Sequence, residues 1–119
     1  MEERRRLVRL ETPVEVSYAV LPEGSKQRTA AKNVSGNGLC LSTEKPLPPG
    51  AQLQVGMKLP DREQPVNAVA EAVWSAASEV VDKTGRQRSV ETGVRFTEIA
   101  PQDRDALAQF VFRTLQLIQ

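Results

Sequence analysis

Apolar and polar residues alternate along most of this chain with a period of two. Val14, Val16, Tyr18 and Val20 share one parity, and so do Leu53, Val55, Met57 and Leu59. Such alternation predicts strands with one face on a core. Pro22-Glu23-Gly24-Ser25 reads as a turn. Arg28 to Asn33 is a second strand that runs into the polar turn Asn33-Val34-Ser35-Gly36-Asn37-Gly38, and Leu39 to Ser42 begins a third. Pro46-Leu47-Pro48-Pro49-Gly50 is a rigid loop, because proline cannot donate to a central ladder. After the polar turn Pro60-Asp61-Arg62-Glu63-Gln64, Val66 to Ser75 is the longest strand, with Val69, Ala70, Val73 and Trp74 as its packing residues. Residues 76–89 are polar, with Asp82-Lys83-Thr84-Gly85-Arg86 as a hairpin tip, and Glu91 to Phe96 alternates again around Val94 and Phe96.

The period then changes. Leu107, Phe110, Val111, Leu115 and Ile118 recur at three and four residues, which is one face of a helix. Pro101 suits a first helical turn, and Asp103 and Asp105 sit near the positive helix start. Short strands closed by one helix predict a mainly β fold, a small antiparallel barrel with its C-terminal helix laid on it. The expected organisation is a basic arm over residues 1–12, a barrel over 13–100 and a helix over 101–119, all in one domain. Leu7, Val8 and Leu10 could anchor the arm to the core.

Composition narrows the function. A chain of 119 residues with 39% hydrophobic and 26% charged residues is that of a soluble globular domain. The formal net charge of +1 gives no global field to draw nucleic acid or an acidic membrane. No histidine is present, which removes the histidine-based triads and most zinc sites, so neither a catalytic set nor a metal site is expected. The single cysteine, Cys40, reads as a small buried strand residue. Neither a transmembrane stretch nor an apolar signal core is visible, so the expected location is the cytoplasm.

Two polar clusters remain as candidate chemistry. Arg4-Arg5-Arg6-Leu7-Val8-Arg9 is a cationic arm in which Arg5 and Arg9 stand four apart. Arginine forks read phosphates and the O6/N7 edge of guanine. The Asn33–Gly38 turn offers an amide, a hydroxyl and glycine backbone at close range. Together they point to an anionic, purine-containing ligand.

These motifs resemble those of a known family. Arg5-x-x-x-Arg9 followed by Asn33-x-Ser35-x-x-Gly38 is similar to the RxxxR and (D/N)xSxxG signature of PilZ domains. Leu47-Pro48-Pro49-Gly50, Ala72-Val73-Trp74 and Gly93-Val94-Arg95-Phe96 resemble the family's pre-strand loop, its valine-tryptophan strand and its late glycine-phenylalanine strand. The resemblance implies a six-stranded antiparallel β-barrel that binds cyclic di-GMP, without catalysis and without a cofactor. Arg4, Arg5, Arg9, Asn33, Ser35 and Gly38 would then bind the ligand, with Arg6 and Trp74 as further candidates. Gly38 would permit the tight backbone turn. Arginine at position 4, by the same analogy, favours two ligand molecules per chain, stacked as an intercalated pair. The expected mechanism is ordering of residues 1–9 over the barrel, which buries Leu7 and changes the surface that a partner protein meets. Arg95 reads as an outward surface residue, and nothing in the spacing fixes whether Arg28 and Lys32 lie beside the ligand.

Two other readings compete. One is a PilZ-like scaffold that works through protein contacts in pilus or motility machinery without binding nucleotide. The other is a barrel for single-stranded nucleic acid, for which 4% aromatics and a net charge of +1 supply few stacking platforms and little electrostatic funnel. DNA, RNA and membrane insertion are therefore not expected.

Overall fold

The computed structural model describes residues 14–60 and 62–117. Six strands form in order: β1 (Val14–Val20), β2 (Gln27–Ser35), β3 (Gly38–Ser42), β4 (Gln52–Lys58), β5 (Val66–Asp82) and β6 (Gly85–Ile99). One helix follows, α1 (Pro101–Leu117). The strands close into an antiparallel barrel in the order β1-β2-β3-β6-β5-β4. Closure leaves no free edge along the barrel wall.

The period-two alternation does what it predicts. In β1, Val14, Val16 and Tyr18 face inward and are buried, and in β4 Leu53, Val55 and Met57 do the same. They meet Leu41, Ala70, Ala72 and Val94 in one core. At one end of the barrel Thr92, fully buried, joins the Thr43 hydroxyl at 2.9 Å and the Ser75 hydroxyl at 2.8 Å. Ser75 in turn accepts from the Leu47 N–H at 3.1 Å. This chain satisfies the polar groups that the barrel rim would otherwise bury unpaired.

Two expectations need correction. The strand expected over Val66 to Ser75 runs on: the β5–β6 ladder continues from Ser75↔Thr92 through Asp82↔Gly85, so the polar residues 76–89 form a long ribbon with its tip where expected. Their polarity reflects exposure on both faces of a two-stranded ribbon. Val73 and Trp74 are not core residues, being 49% and 44% exposed. The β5–β6 register shifts between Ala72 and Trp74, so Val73 is an extra residue that turns the tryptophan outward.

The helix buries Leu107, Phe110 and Val111 and leaves Phe112 exposed, and it packs against β5 and β2. Asp103 in its first turn accepts from the Asn67 N–H at 3.3 Å and pairs with Arg62 at 3.5 Å, which pins the helix start to the β4–β5 connection. Ile118, expected on the apolar face, and the arm residues Leu7, Val8 and Leu10 lie outside the described residues, as does the side chain of Leu115. Leu107→Ala should cost about 2–5 kcal/mol, the range for emptying a fully buried leucine site. It should lower the melting temperature by roughly 10–20 °C. Phe112→Ala should change it little, and a thermal melt followed by circular dichroism compares the two.

Candidate binding site

Register places the candidate residues on one outer wall formed by β2, β3, β6 and β5. Residues directly opposite each other in a ladder share a face. Asn33 pairs with Cys40, Cys40 with Gly93, and Gly93 with Trp74, which makes one row across four strands. Ser35, Gly38, Arg95 and Glu71 make a second row by the same pairings. Ser42, Glu91 and Ala76 make a third. Successive rows stand two residues apart along β2, β3 and β6, roughly 6.5–7 Å, and on β5 the extra residue Val73 separates Glu71 from Trp74 by three. Over these rows lies an open concavity of about 720 Å³, lined among others by Asn33, Ser35, Gly38 and Trp74.

Glycine shapes the floor at two places. A β-carbon at Gly93 would stand 2.5 Å from Cε2 of the Trp74 indole and 2.9 Å from its Cζ2, so the indole can pack directly on that backbone only because no side chain is there. A β-carbon at Gly38 would run into the Val94 carbonyl oxygen and stand 3.2 Å from the Arg95 Cα. Gly38 therefore serves the close approach of β3 to β6. The tight-turn role expected for it is corrected, since its φ is not positive.

Ser35 holds the turn. Its side chain is 8% exposed, and its hydroxyl donates towards Asn37 Oδ1 at 2.8 Å and the Gly38 carbonyl at 3.2 Å. The Asn37 N–H donates to the Ser35 Oγ at 3.4 Å, and the Asn37 carbonyl accepts from the Phe96 N–H at 2.8 Å. The turn is thus clamped internally by Ser35 and tied to β6. Asn33, half-buried, faces the concavity from β2.

Sequence reasoning missed Glu91, left the place of Lys32 open, and read Arg95 only as the outward surface residue that it is. Lys32, Glu91 and Arg95 all line the concavity. Lys32 sits at a register shift between Ala31 and Asn33, a bulge that brings it onto the wall, and forms an ion pair with Glu91. That hydrogen bond, with the carboxylate charge, holds the Lys32 ammonium above the usual lysine pKa, so the lysine is cationic at neutral pH. Arg95 pairs with Glu71 at 2.6 Å. The signal for Glu91 and Arg95 was their parity with Gly93 once Trp74 was known to lie outside. Lys32 had none, because a bulge breaks parity. Arg28 lies elsewhere, in a shallow depression with Lys26 and Lys58.

Arg4, Arg5, Arg6 and Arg9 lie outside the described residues. The structure does fix where their segment joins the barrel. Val14 pairs with Ala31 in antiparallel register, so β1 starts at the end where β2 carries Lys32 and Asn33. Among the described residues no helix is long and apolar enough to cross a membrane.

The sequence profile of the PilZ domain matches residues 3–113. The fold is similar to that of the PilZ domain with c-di-GMP of YcgR from Escherichia coli, at a TM-score of 0.73 and 18% identity over 97% of this chain and 94% of that one. It is also similar to the Bacillus subtilis inhibitor of motility MotI, at a TM-score of 0.73 and 22% identity over 98% of this chain. MrkH from K. pneumoniae in complex with c-di-GMP gives a TM-score of 0.73 and 15% identity over 95% of this chain. The chain spans about half the length of these last two, 53% and 52%. No curated protein matches the chain.

Proposed function

The chain belongs to the PilZ domain family, and from that premise we propose that it is a cyclic di-GMP receptor, a binding module without chemistry of its own that signals to a separate protein. The observation that carries this reading is the wall itself. Asn33, the Ser35-clamped turn, Gly38 and Trp74 share one open concavity, at the end of the barrel from which β1 starts. The solved YcgR domain and the MrkH complex, which have this fold, are described with the same nucleotide.

The division of labour follows from the chemistry. Arg4, Arg5 and Arg9 form a cationic clamp within an arm of residues 1–12, with Arg6 as a secondary phosphate contact. Arg9 stands five residues before Val14, a reach of roughly 17 Å of extended chain, which spans a site of this size. Guanidinium planes bond phosphate oxygens and guanine O6/N7 and stack on purines. Asn33 reaches a guanine edge, Gly38 lets the ligand lie against the barrel, and Ser35 positions both through the turn. Trp74 offers a stacking plane, worth on the order of 1–3 kcal/mol per base. Two ligand molecules bind per chain, the second stacked between the first and the arm. Residues 1–9 order over the ligand, and the changed surface is what a cytoplasmic partner protein reads.

Calorimetric titration of cyclic di-GMP, with Trp74 emission followed in parallel, tests this. Saturation at two ligands per chain with a change in emission is expected, because Trp74 is the sole tryptophan. One ligand per chain removes the intercalated pair. No binding removes the receptor reading and favours the scaffold. Hydrogen exchange over residues 1–12 should slow on saturation, and equal exchange with and without ligand would refute the arm switch.

A further inference from the structure

The wall carries two ion pairs that no signature motif includes, Lys32–Glu91 and Arg95–Glu71, one on each side of the Trp74–Gly93 row. A carboxylate on the wall of a site for a dianionic nucleotide is a liability unless it has a task. Stability is a poor explanation for the Lys32–Glu91 pair. Lys32 is 58% and Glu91 32% exposed on their side chains, and pairs this open contribute little to folding. Their position suggests something else. Glu91 stands two residues from Gly93 on the same face of β6, so it lies about one purine width along the strand from the row where the indole rests.

We propose that Glu91 and Lys32 together read the Watson–Crick edge of a guanine stacked on Trp74, and so set the base specificity of the site. Guanine presents, in sequence, the O6 acceptor, the N1–H donor and the exocyclic N2 amino donor. An ammonium beside a carboxylate is the complement of that edge. Lys32 donates to O6, and the two oxygens of Glu91 accept from N1–H and from the N2 amino group. Adenine offers the carboxylate neither donor, because its N1 is an unprotonated acceptor and its C2 carries no amino group, and it carries a donor where guanine has O6. Lys32 has a second use here, since without it the bare carboxylate would repel the ligand phosphates. The inference rests on the cyclic di-GMP reading and deepens it.

The test compares cyclic di-GMP, cyclic di-IMP (which lacks the N2 amino group) and cyclic di-AMP on wild type, Glu91→Gln and Lys32→Met. Wild type should bind the guanine ligand about 10-fold or more tighter than the other two, the scale of one bidentate base contact. Glu91→Gln should weaken cyclic di-GMP about 10-fold and cyclic di-IMP much less, so that base discrimination collapses. Lys32→Met should weaken the guanine and inosine ligands, which share O6, more than the adenine one. Removing a negative charge favours any anion, so equal or tighter binding of cyclic di-GMP by Glu91→Gln overturns the proposal. Unchanged discrimination in both variants does the same. Those results leave the receptor reading standing, whereas failure of wild type to bind any of the three ligands removes it along with this one.

Discussion

Arg5→Ala and Arg9→Ala should each weaken cyclic di-GMP binding by about 10- to 150-fold, the scale of a lost hydrogen bond to a charged group at 1.5–3 kcal/mol. The reason lies in the wall. Two of its cations, Lys32 and Arg95, are engaged by Glu91 and Glu71. Local charge there is close to balanced, so the attraction for two phosphates has to come from the arm. Removing either arginine takes away a planar fork that a lysine would not replace. Binding by wild type should also fall with added salt, and each variant should show a shallower salt dependence. Folding should hardly respond, since substitutions away from the core stay within about 0.5 kcal/mol. Arg28→Ala is the matched control: it removes the same charge from a different depression, and affinity should be unchanged. Calorimetry on the three variants, with thermal melts alongside, decides the matter. Wild-type affinity in Arg5→Ala and Arg9→Ala would place the phosphate contacts elsewhere.

Gly38→Ala should damage both stability and binding, while Gly36→Ala, two residues away in the same turn, should be nearly silent. A β-carbon at Gly38 meets the backbone of Val94 and Arg95 on β6, not the flexible end of a side chain. Relief requires β3 to move off β6, and overpacking of this kind costs about 1–3 kcal/mol. A fall in melting temperature of roughly 5–20 °C follows. The same movement shifts Ser35 and Asn37, whose hydrogen bonds are built around the Gly38 carbonyl and the Phe96 N–H, so affinity should fall beyond what unfolding explains. A β-carbon at Gly36 has nothing within 4 Å. Equal melting temperatures for the two variants would show that the β3–β6 contact gives way more easily than its geometry implies.

Elements with clean alternation were legible from the sequence. β1 and β4 carry it over seven residues each, and both run very nearly as their patterns indicate. The helix was legible because its buried face recurs at three and four residues through Leu107, Phe110 and Val111. The extent of the strands through residues 76–89 was not legible, because a two-stranded ribbon exposes both faces and its hydrophobic signal vanishes. Trp74 shares parity with the buried Ala70 and Ala72 and is turned outward by the bulge, whereas Val73, next to buried Ala72, lies outward by simple alternation. The polar turn was legible as a motif, but the work of Ser35 within it was not. A hydroxyl's partners depend on the path of the backbone.

By itself, the sequence determined the fold class, the position of the turn and the arginine spacing, because each depends on residue type and separation along the chain. The tertiary structure decided which residues share the wall. Pairings such as Cys40 with Gly93 and Trp74 with Gly93 join residues remote in sequence, and the shifts at Lys32 and Val73 choose which side chains turn outward. Strand register is set by the whole core closing at once, so Lys32, Glu91 and Arg95 could enter the site only after the barrel had been assembled around it.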